Sequence, residues 1–179
     1  MRSDEELMAR VQRGDEPALN ELLERWRPRL FGFLVRRVGD VAAEDLFQET
    51  WLRVVRSRDR YDPKRRFSTW LFQIANNLCR DRGRRRKVEE GYKETVREQV
   101  QHDAGRLEAP PLDLRMDIHR RLAALPERLR EVLILRYYHQ LPEADIAEVV
   151  GIPRGTVKSR LHSAVRTLRG QMADEEDEA

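Results

Sequence analysis

The chain has 179 residues and a mass of 21.2 kDa, is 37% charged, and carries a net charge of only +3. A mean hydropathy of −0.76 is too polar for one large core and fits two small helical domains. The single Cys79 excludes an internal disulfide and a cysteine-rich zinc site, and no run approaches the roughly 18 apolar residues of a membrane span.

The small net charge hides a pattern along the chain. Residues 1–87 hold 21 basic and 14 acidic residues, 88–111 hold 3 and 6, 112–170 hold 11 and 7, and 171–179 hold 0 and 5. Two basic blocks are thus separated by an acidic stretch and followed by an acidic tail. The opening MRSDEELMARVQRG is charged and is not a signal peptide, so a cytoplasmic location is expected. His102, His119, His139 and His162 show no ligand spacing, and no phosphate loop or Ser/His/Asp pattern is present. Neither a metal, a cofactor nor catalysis is expected.

In chain order, Ser3 and Glu6 make a capping box ahead of Leu7, Met8 and Val11, predicting a short helix that stops at Gly14. Asp15 is placed to cap the next helix, where Ala18, Leu19, Leu22, Leu23, Trp26, Leu30, Phe33 and Leu34 recur at helical spacing. Pro28 interrupts that run and is expected to kink or split it. Gly39 and Asp40 end the segment and open another. There Leu46, Trp51, Val54 and Val55 fall on one side with Phe47 beside them, and Asp45, Gln48, Glu49 and Arg53 on the other. That polar side suits solvent as well as a partner.

Tyr61, Asp62 and Pro63 form a turn before RFSTWLFQIANNLCRDRGRRRK, residues 66–87. Ser68 or Thr69 is expected to start this helix, with Trp70, Leu71, Ile74 and Leu78 as its buried stripe. The other face carries Gln73, Asn76, Asn77 and Arg80 and runs into Arg82, Arg84, Arg85, Arg86 and Lys87. Long-range charge and counterion release draw such a run to phosphate, and asparagine amides match base edges. Phe67, Trp70 and Phe72 are candidates to support an unstacked base. Core packing is the equal alternative for Phe72 and the preferred one for Phe67.

Residues 88–111 are acidic, lack a sustained apolar stripe, and end in Glu108, Ala109, Pro110 and Pro111, as a flexible linker would. Fully extended, these 24 residues reach about 80 Å. Two helices are expected over Asp113–Leu125 and Pro126–Tyr138, with Leu114, Ile118, Leu122, Leu125, Leu129, Val132, Leu133, Leu135 and Tyr138 as core candidates. They brace the most distinctive stretch, Leu141–Arg169. Its first half places Ile146, Ala147, Val149 and Val150 on a short helix that Gly151 ends, and Pro153 opens a second. There Val157, Leu161, Ala164 or Val165, and Leu168 face inward, while Arg154, Lys158, His162, Arg166 and Arg169 face out. This is a helix-turn-helix whose basic second helix suits a DNA major groove. Residues 174–178, DEEDE, read as a disordered acidic end.

Three stretches in this order, DLFQETWLRVV (45–55), RFSTWLFQIANNL (66–78) and LPEADIAEVVGIPRGTVKSRLH (141–162), resemble the sigma-70 family of bacterial transcription initiation factors, in its small extracytoplasmic-function group. The resemblance covers nearly the whole chain except the linker and acidic tail. It implies an all-α protein with region 2 over 1–87, a flexible linker over 88–111, region 4 with its helix-turn-helix over 112–170, and a disordered tail over 171–179. It also implies that region 2 binds the clamp of core RNA polymerase and melts the minus-10 element, while region 4 meets the flap and reads the minus-35 element. The implied partners are core RNA polymerase, promoter DNA and an anti-sigma factor, with no membrane insertion and no enzymatic activity.

Carried over by position, the resemblance assigns Asp45, Leu46, Gln48, Glu49, Leu52 and Arg53 to the polymerase. It assigns Trp70, Gln73, Asn76, Asn77, Arg80, Arg82, Arg84 and Arg85 to the minus-10 element, with Asn77 at the position that helps hold a flipped base. Arg154, Thr156, Lys158, Ser159, Arg160, His162 and Arg166 fall to the minus-35 element. The chain departs from the family pattern at Ser163 and Val165, where arginines are common. Each lost phosphate contact lowers the salt dependence by roughly 0.9 log unit of slope, which implies a weaker minus-35 grip or a different promoter class. The alternative is a conventional dimeric helix-turn-helix regulator, which needs a sensor or dimerisation segment that residues 1–87 do not display.

Overall fold

Ser3 opens the first helix with both halves of the capping box: its hydroxyl accepts from the Glu6 N–H at 3.1 Å, and the Glu6 carboxylate accepts from the Ser3 N–H at 2.9 Å. Helix α1 (Asp4–Gln12) follows and buries Leu7, Met8 and Val11. The computed structural model describes residues 2–93 and 120–176, and the chain divides into two compact units, Met1–Ala104 and Gly105–Ala179. Among the described residues every regular element is helical.

Gly14, at φ +85°, lets the chain turn out of α1. Asp15 then caps α2 (Glu16–Val38) by accepting the Ala18 N–H at 3.1 Å, and Arg10 reaches the same carboxylate at 2.6 Å. The Ala18 N–H first and Arg10 second hold the Asp15 pKa below the usual carboxylate range. Pro28 does not split α2, which runs unbroken across it. The proline lies on the exposed side, where the Glu24 carbonyl deprived of its donor can be hydrated. Gly39, at φ +82°, closes α2 with a 2.8 Å bond to the Val35 carbonyl and turns the chain into α3 (Asp40–Arg56).

A 3-10 turn (Arg58–Arg60) and a loop lead to α4 (Phe67–Lys93). This helix starts at Phe67 rather than at Ser68 or Thr69, because the Glu5 carboxylate on α1 accepts the Phe67 N–H at 3.0 Å while Thr69 is buried. The loop is tied to α1 as well. The Gln12 amide donates to the Arg58 and Tyr61 carbonyls at 2.9 and 2.8 Å, and the Tyr61 hydroxyl donates to the Arg65 carbonyl at 2.6 Å. Burial, then the nearby Glu5, raises the Tyr61 pKa above its ordinary value.

Helix α2 packs against α1, α3 and α4, and α3 against α4. At the centre Trp26 meets Phe67 and Phe72 edge-on at 6.0 and 5.9 Å, and Phe33 meets Phe72 at 5.2 Å. Burying each phenylalanine contributes roughly 1.5–3 kcal/mol. Helix α4 continues to Lys93, past the residue 87 expected to end the first domain; arginine, lysine and glutamate have the propensity to carry it on. The remainder of the expected linker, and Leu114 and Ile118, lie outside the described residues.

In the second unit, residues 120–124 are helical and precede α5 (Glu127–Tyr137), α6 (Glu143–Val150) and α7 (Arg154–Glu176). Leu122, Leu125, Leu129, Leu133 and Ala164 form one cluster, with Leu168 packed on it. Tyr138, expected in the core, is 38% exposed because α5 ends just before it. Gly151 takes the left-handed conformation at φ +72°, and its N–H and that of Ile152 both reach the Ala147 carbonyl, at 2.9 and 3.1 Å. The Pro153 carbonyl accepts from Thr156 and Val157 at 2.9 and 3.1 Å, which starts α7. Residues 171–176, expected to be disordered, continue α7; methionine, alanine and glutamate are strong helix formers. Residues 177–179 lie outside the described residues.

Candidate nucleic-acid interfaces

Helix α4 is apolar around much of its circumference, so little of it is left to face out. Phe67, Leu71 and Ala75 are fully buried, with Phe72, Leu78 and Cys79 nearly so. What remains is a stripe at helical spacing, Gln73, Asn77, Arg80 and Arg84, in which Asn77 and Arg84 are exposed and Gln73 and Arg80 half-buried, with Ile74, expected in the buried stripe, half-buried beside it. Arg82, Arg85 and Arg86 are exposed around it, and Arg84 pairs with Asp81.

Two candidates of this set are placed elsewhere. Asn76 is 0% exposed, because a single step along a helix turns it about 100° from Asn77 into the packed side. Trp70 is 8% exposed and lies against Tyr61 at 5.0 Å and Phe67 at 6.2 Å. Phe67 and Phe72 are core residues too, so none of the three rings presents a face to a base. The 3-10 turn and the loop before α4 add exposed Arg60, Lys64 and Arg66, of which Arg60 and Lys64 lie outside the three family stretches. Their signal is charge in a turn that feeds a basic helix.

Helix α3 turns out a different kind of stripe. Val41, Asp45, Gln48 and Leu52 follow one another at i, i+4, i+7 and i+11, and all are exposed, Val41 by 89% and Leu52 by 49%. Beside them Arg53 pairs with Glu49 at 3.1 Å, an exposed pair worth at most about 1 kcal/mol. Leu46, which the resemblance assigns to the polymerase, is 7% exposed on the inner side with Ala42, Ala43 and Thr50, the side where its spacing puts it. Val41 takes its place. Its signal in the sequence is the helical spacing that pairs it with Leu52 on an otherwise polar stripe. Half-buried Phe47 flanks the stripe, with Phe31 at 6.2 Å and the Arg27 guanidinium 5.5 Å from its ring.

Helix α7 presents a broad outer face. Gly155, Lys158, Ser159, His162, Ser163 and Arg166 line one open surface groove along it. Arg154 is 72% exposed and 3.6 Å from Glu143 on α6, and Thr156 is half-buried, its carbonyl accepting from the Ser159 hydroxyl at 3.0 Å. Ser163 borders this face. Val165 does not: with Leu161, Tyr137 and Arg169 it lines a second groove on the side toward α5 and α6, which meets the first at His162 and Arg166. Arg160 is also drawn away, its guanidinium 3.2 Å from the buried carboxylate of Glu131. The expected DNA set of α7 is therefore brought together except for Arg160.

No described helix is long and apolar enough to cross a membrane, and no group of three or more His, Cys, Asp or Glu among the described residues has the arrangement to hold a metal ion. The outer faces of α3, α4 and α7 can make contacts with charged and polar partners.

Two family models match the chain, Sigma-70 region 2 over residues 22–89 and Sigma-70, region 4 over residues 115–168. The first contains α3 and most of α4, and the second contains α5, α6 and most of α7. The chain is 33% identical to the ECF RNA polymerase sigma factor SigW of Bacillus subtilis over 92% of its own length and 94% of that protein's. It is 31% identical to the ECF RNA polymerase sigma-E factor of Haemophilus influenzae, over 95% of each. Among solved structures, the sigma factor RpoE of Bartonella quintana, in complex with the anti-sigma factor NepR, matches at a TM-score of 0.74 and 26% identity, covering 86% of this chain and 96% of that one. The chain belongs to the sigma-70 family, within its group of ECF RNA polymerase sigma factors.

Proposed function

We propose that this protein binds core RNA polymerase in the cytoplasm and directs it to promoters, reading the minus-10 element with α4 and the minus-35 element with α7. It acts by binding and not by catalysis. The observation that carries this is the presence, in one chain, of two outward basic helical faces, around Asn77 and around Lys158, each within the stretch that matches its family region. Family membership sets aside the conventional dimeric regulator. The stripe Val41, Asp45, Gln48 and Leu52, with Glu49 and Arg53, is the proposed contact with the polymerase clamp; residues 1–87 and 112–170 are the working domains, and 88–111 the connection. Similarity to RpoE, solved with NepR, supports an anti-sigma factor as a further partner.

Extruding a base costs a few kcal/mol. One hydrogen bond from Asn77 nets about 0.5–1.5 kcal/mol, so polymerase contacts have to supply the rest. The free protein is therefore expected to leave duplex promoter closed, and the holoenzyme to open it. Run-off transcription with core polymerase on genomic fragments tests the assignment. Asn77→Ala should lose open complexes, and Lys158→Ala should lose dependence on the minus-35 element. Transcription from the same start sites by core polymerase alone would overturn it.

A further inference from the structure

We infer that Arg160 is a positioning residue for α7, which it holds through Glu131 on α5, and that it does not itself grip DNA. This rests on α7 being the minus-35 reading helix. Arg160 lies three residues after Val157 and four before Ala164, both 0% exposed, so it belongs to the inner stripe of the helix. Its side chain is 24% exposed, against 72% for Arg154 at the start of the same helix. The guanidinium Nη1 is 3.2 Å from Glu131 Oε1, and Glu131 is 2% exposed, the only buried carboxylate among the described residues.

A carboxylate at that depth is stabilised by a cation beside it, and swinging Arg160 out to a phosphate would remove the guanidinium that lies 3.2 Å away. The cluster that α5 and α7 share, Leu129, Leu133, Ala164 and Leu168, is apolar and weakly directional. A charge-assisted hydrogen bond from a guanidinium to a carboxylate has a preferred distance and direction. The pair therefore sets the rotation and depth of α7, and through them the register in which Lys158, Ser159, His162 and Arg166 meet base edges and phosphates.

The test uses reconstituted holoenzyme and a promoter duplex recovered by run-off, with its minus-35 element intact or scrambled, at several salt concentrations. Glu131→Leu and Arg160→Met are each expected to lower the discrimination between the two duplexes by about fivefold or more while leaving the salt slope unchanged. Lys158→Ala, a direct contact, should instead lower the slope by roughly 0.9. The double variant Glu131→Leu with Arg160→Met replaces a buried ion pair by apolar groups and should recover discrimination to within about twofold of wild type. If a single variant fails to fold, as thermal unfolding would show, the double variant decides alone. Recovery supports positioning. An Arg160→Met variant with a reduced slope that the double variant shares, beside Glu131→Leu with unchanged discrimination, would make Arg160 a phosphate contact and overturn the assignment. A wild-type holoenzyme indifferent to scrambling, with Lys158→Ala also silent, would overturn the DNA role of α7 and this assignment with it.

Discussion

Helices α4 and α7 both carry basic residues outward, yet they are held in opposite ways. Packed rings and aliphatic chains grip the first half of α4, residues 67–79, around most of its circumference and leave a narrow strip there about Gln73 and Asn77, beyond which the basic end from Arg82 is open. Among the described side chains of α7 only Val157 and Ala164 are fully buried, with Leu161, Val165 and Leu168 half-buried, and a broad face is turned to solvent. A narrow stripe on a rigid helix suits one selected contact made in a fixed place. A broad face suits a helix lying along a groove, where several modest contacts add up. Substitutions in α4 should therefore act all or nothing, and substitutions in α7 by degrees.

The largest expected effect tests the grip on α4. Phe72→Ala should destabilise the first unit by about 3–5 kcal/mol in urea unfolding. A loss below about 1 kcal/mol would mean that Phe72 is not the core residue its burial indicates. Next, the two neighbouring asparagines should part company. Asn76→Ala should cost about 1–3 kcal/mol of stability while its folded fraction still supports promoter opening. Asn77→Ala should keep stability within about 0.5 kcal/mol and lose opening, scored by reactivity of unpaired thymines in the holoenzyme complex. Equal opening by both variants would break the contrast.

On α7 the expected changes are graded. Ser163→Arg adds a cation to the outer groove and should steepen the salt dependence of minus-35 binding by about 0.9. Val165→Arg, on the side toward Tyr137, should leave the slope alone. The same gain from both would mean that the two grooves are not functionally separate. The smallest effect concerns Asp15. Its folded-state pKa is depressed, so its stabilisation is present above the ordinary carboxylate range and is lost as pH falls through the depressed value. Asp15→Asn keeps a capping side chain without the charge. It should unfold at slightly lower temperature than wild type near neutral pH, with the difference closing in acid.

Local chemistry was legible in the chain. The Ser3 and Glu6 capping box, the Asp15 cap and the left-handed Gly151 turn involve residues within a few positions of one another, so spacing alone specifies them. The three family stretches likewise located both basic helices. Direction on α4 was harder to read, because a helix that is apolar on several sides gives no single period to separate Asn76 from Asn77 or Trp70 from a solvent-facing ring. Arg160 looked like its basic neighbours until Glu131, 29 residues away, was brought beside it. The start of α4 at Phe67 was beyond local reasoning for the same reason, since its partner Glu5 is 62 residues distant.

That last contact also has a bearing on how the first unit folds. Gln12 and Glu5 reach 46 to 62 residues along the chain to hold the loop and the first turn of α4. Closing such a span costs entropy that only the assembled pair of helices can offset. Docking of α1 is thus expected to come late, after α2, α3 and α4 have paired. The Phe67 amide would then stay open to hydrogen exchange until α1 is seated, which makes it a local clock for completion of the fold.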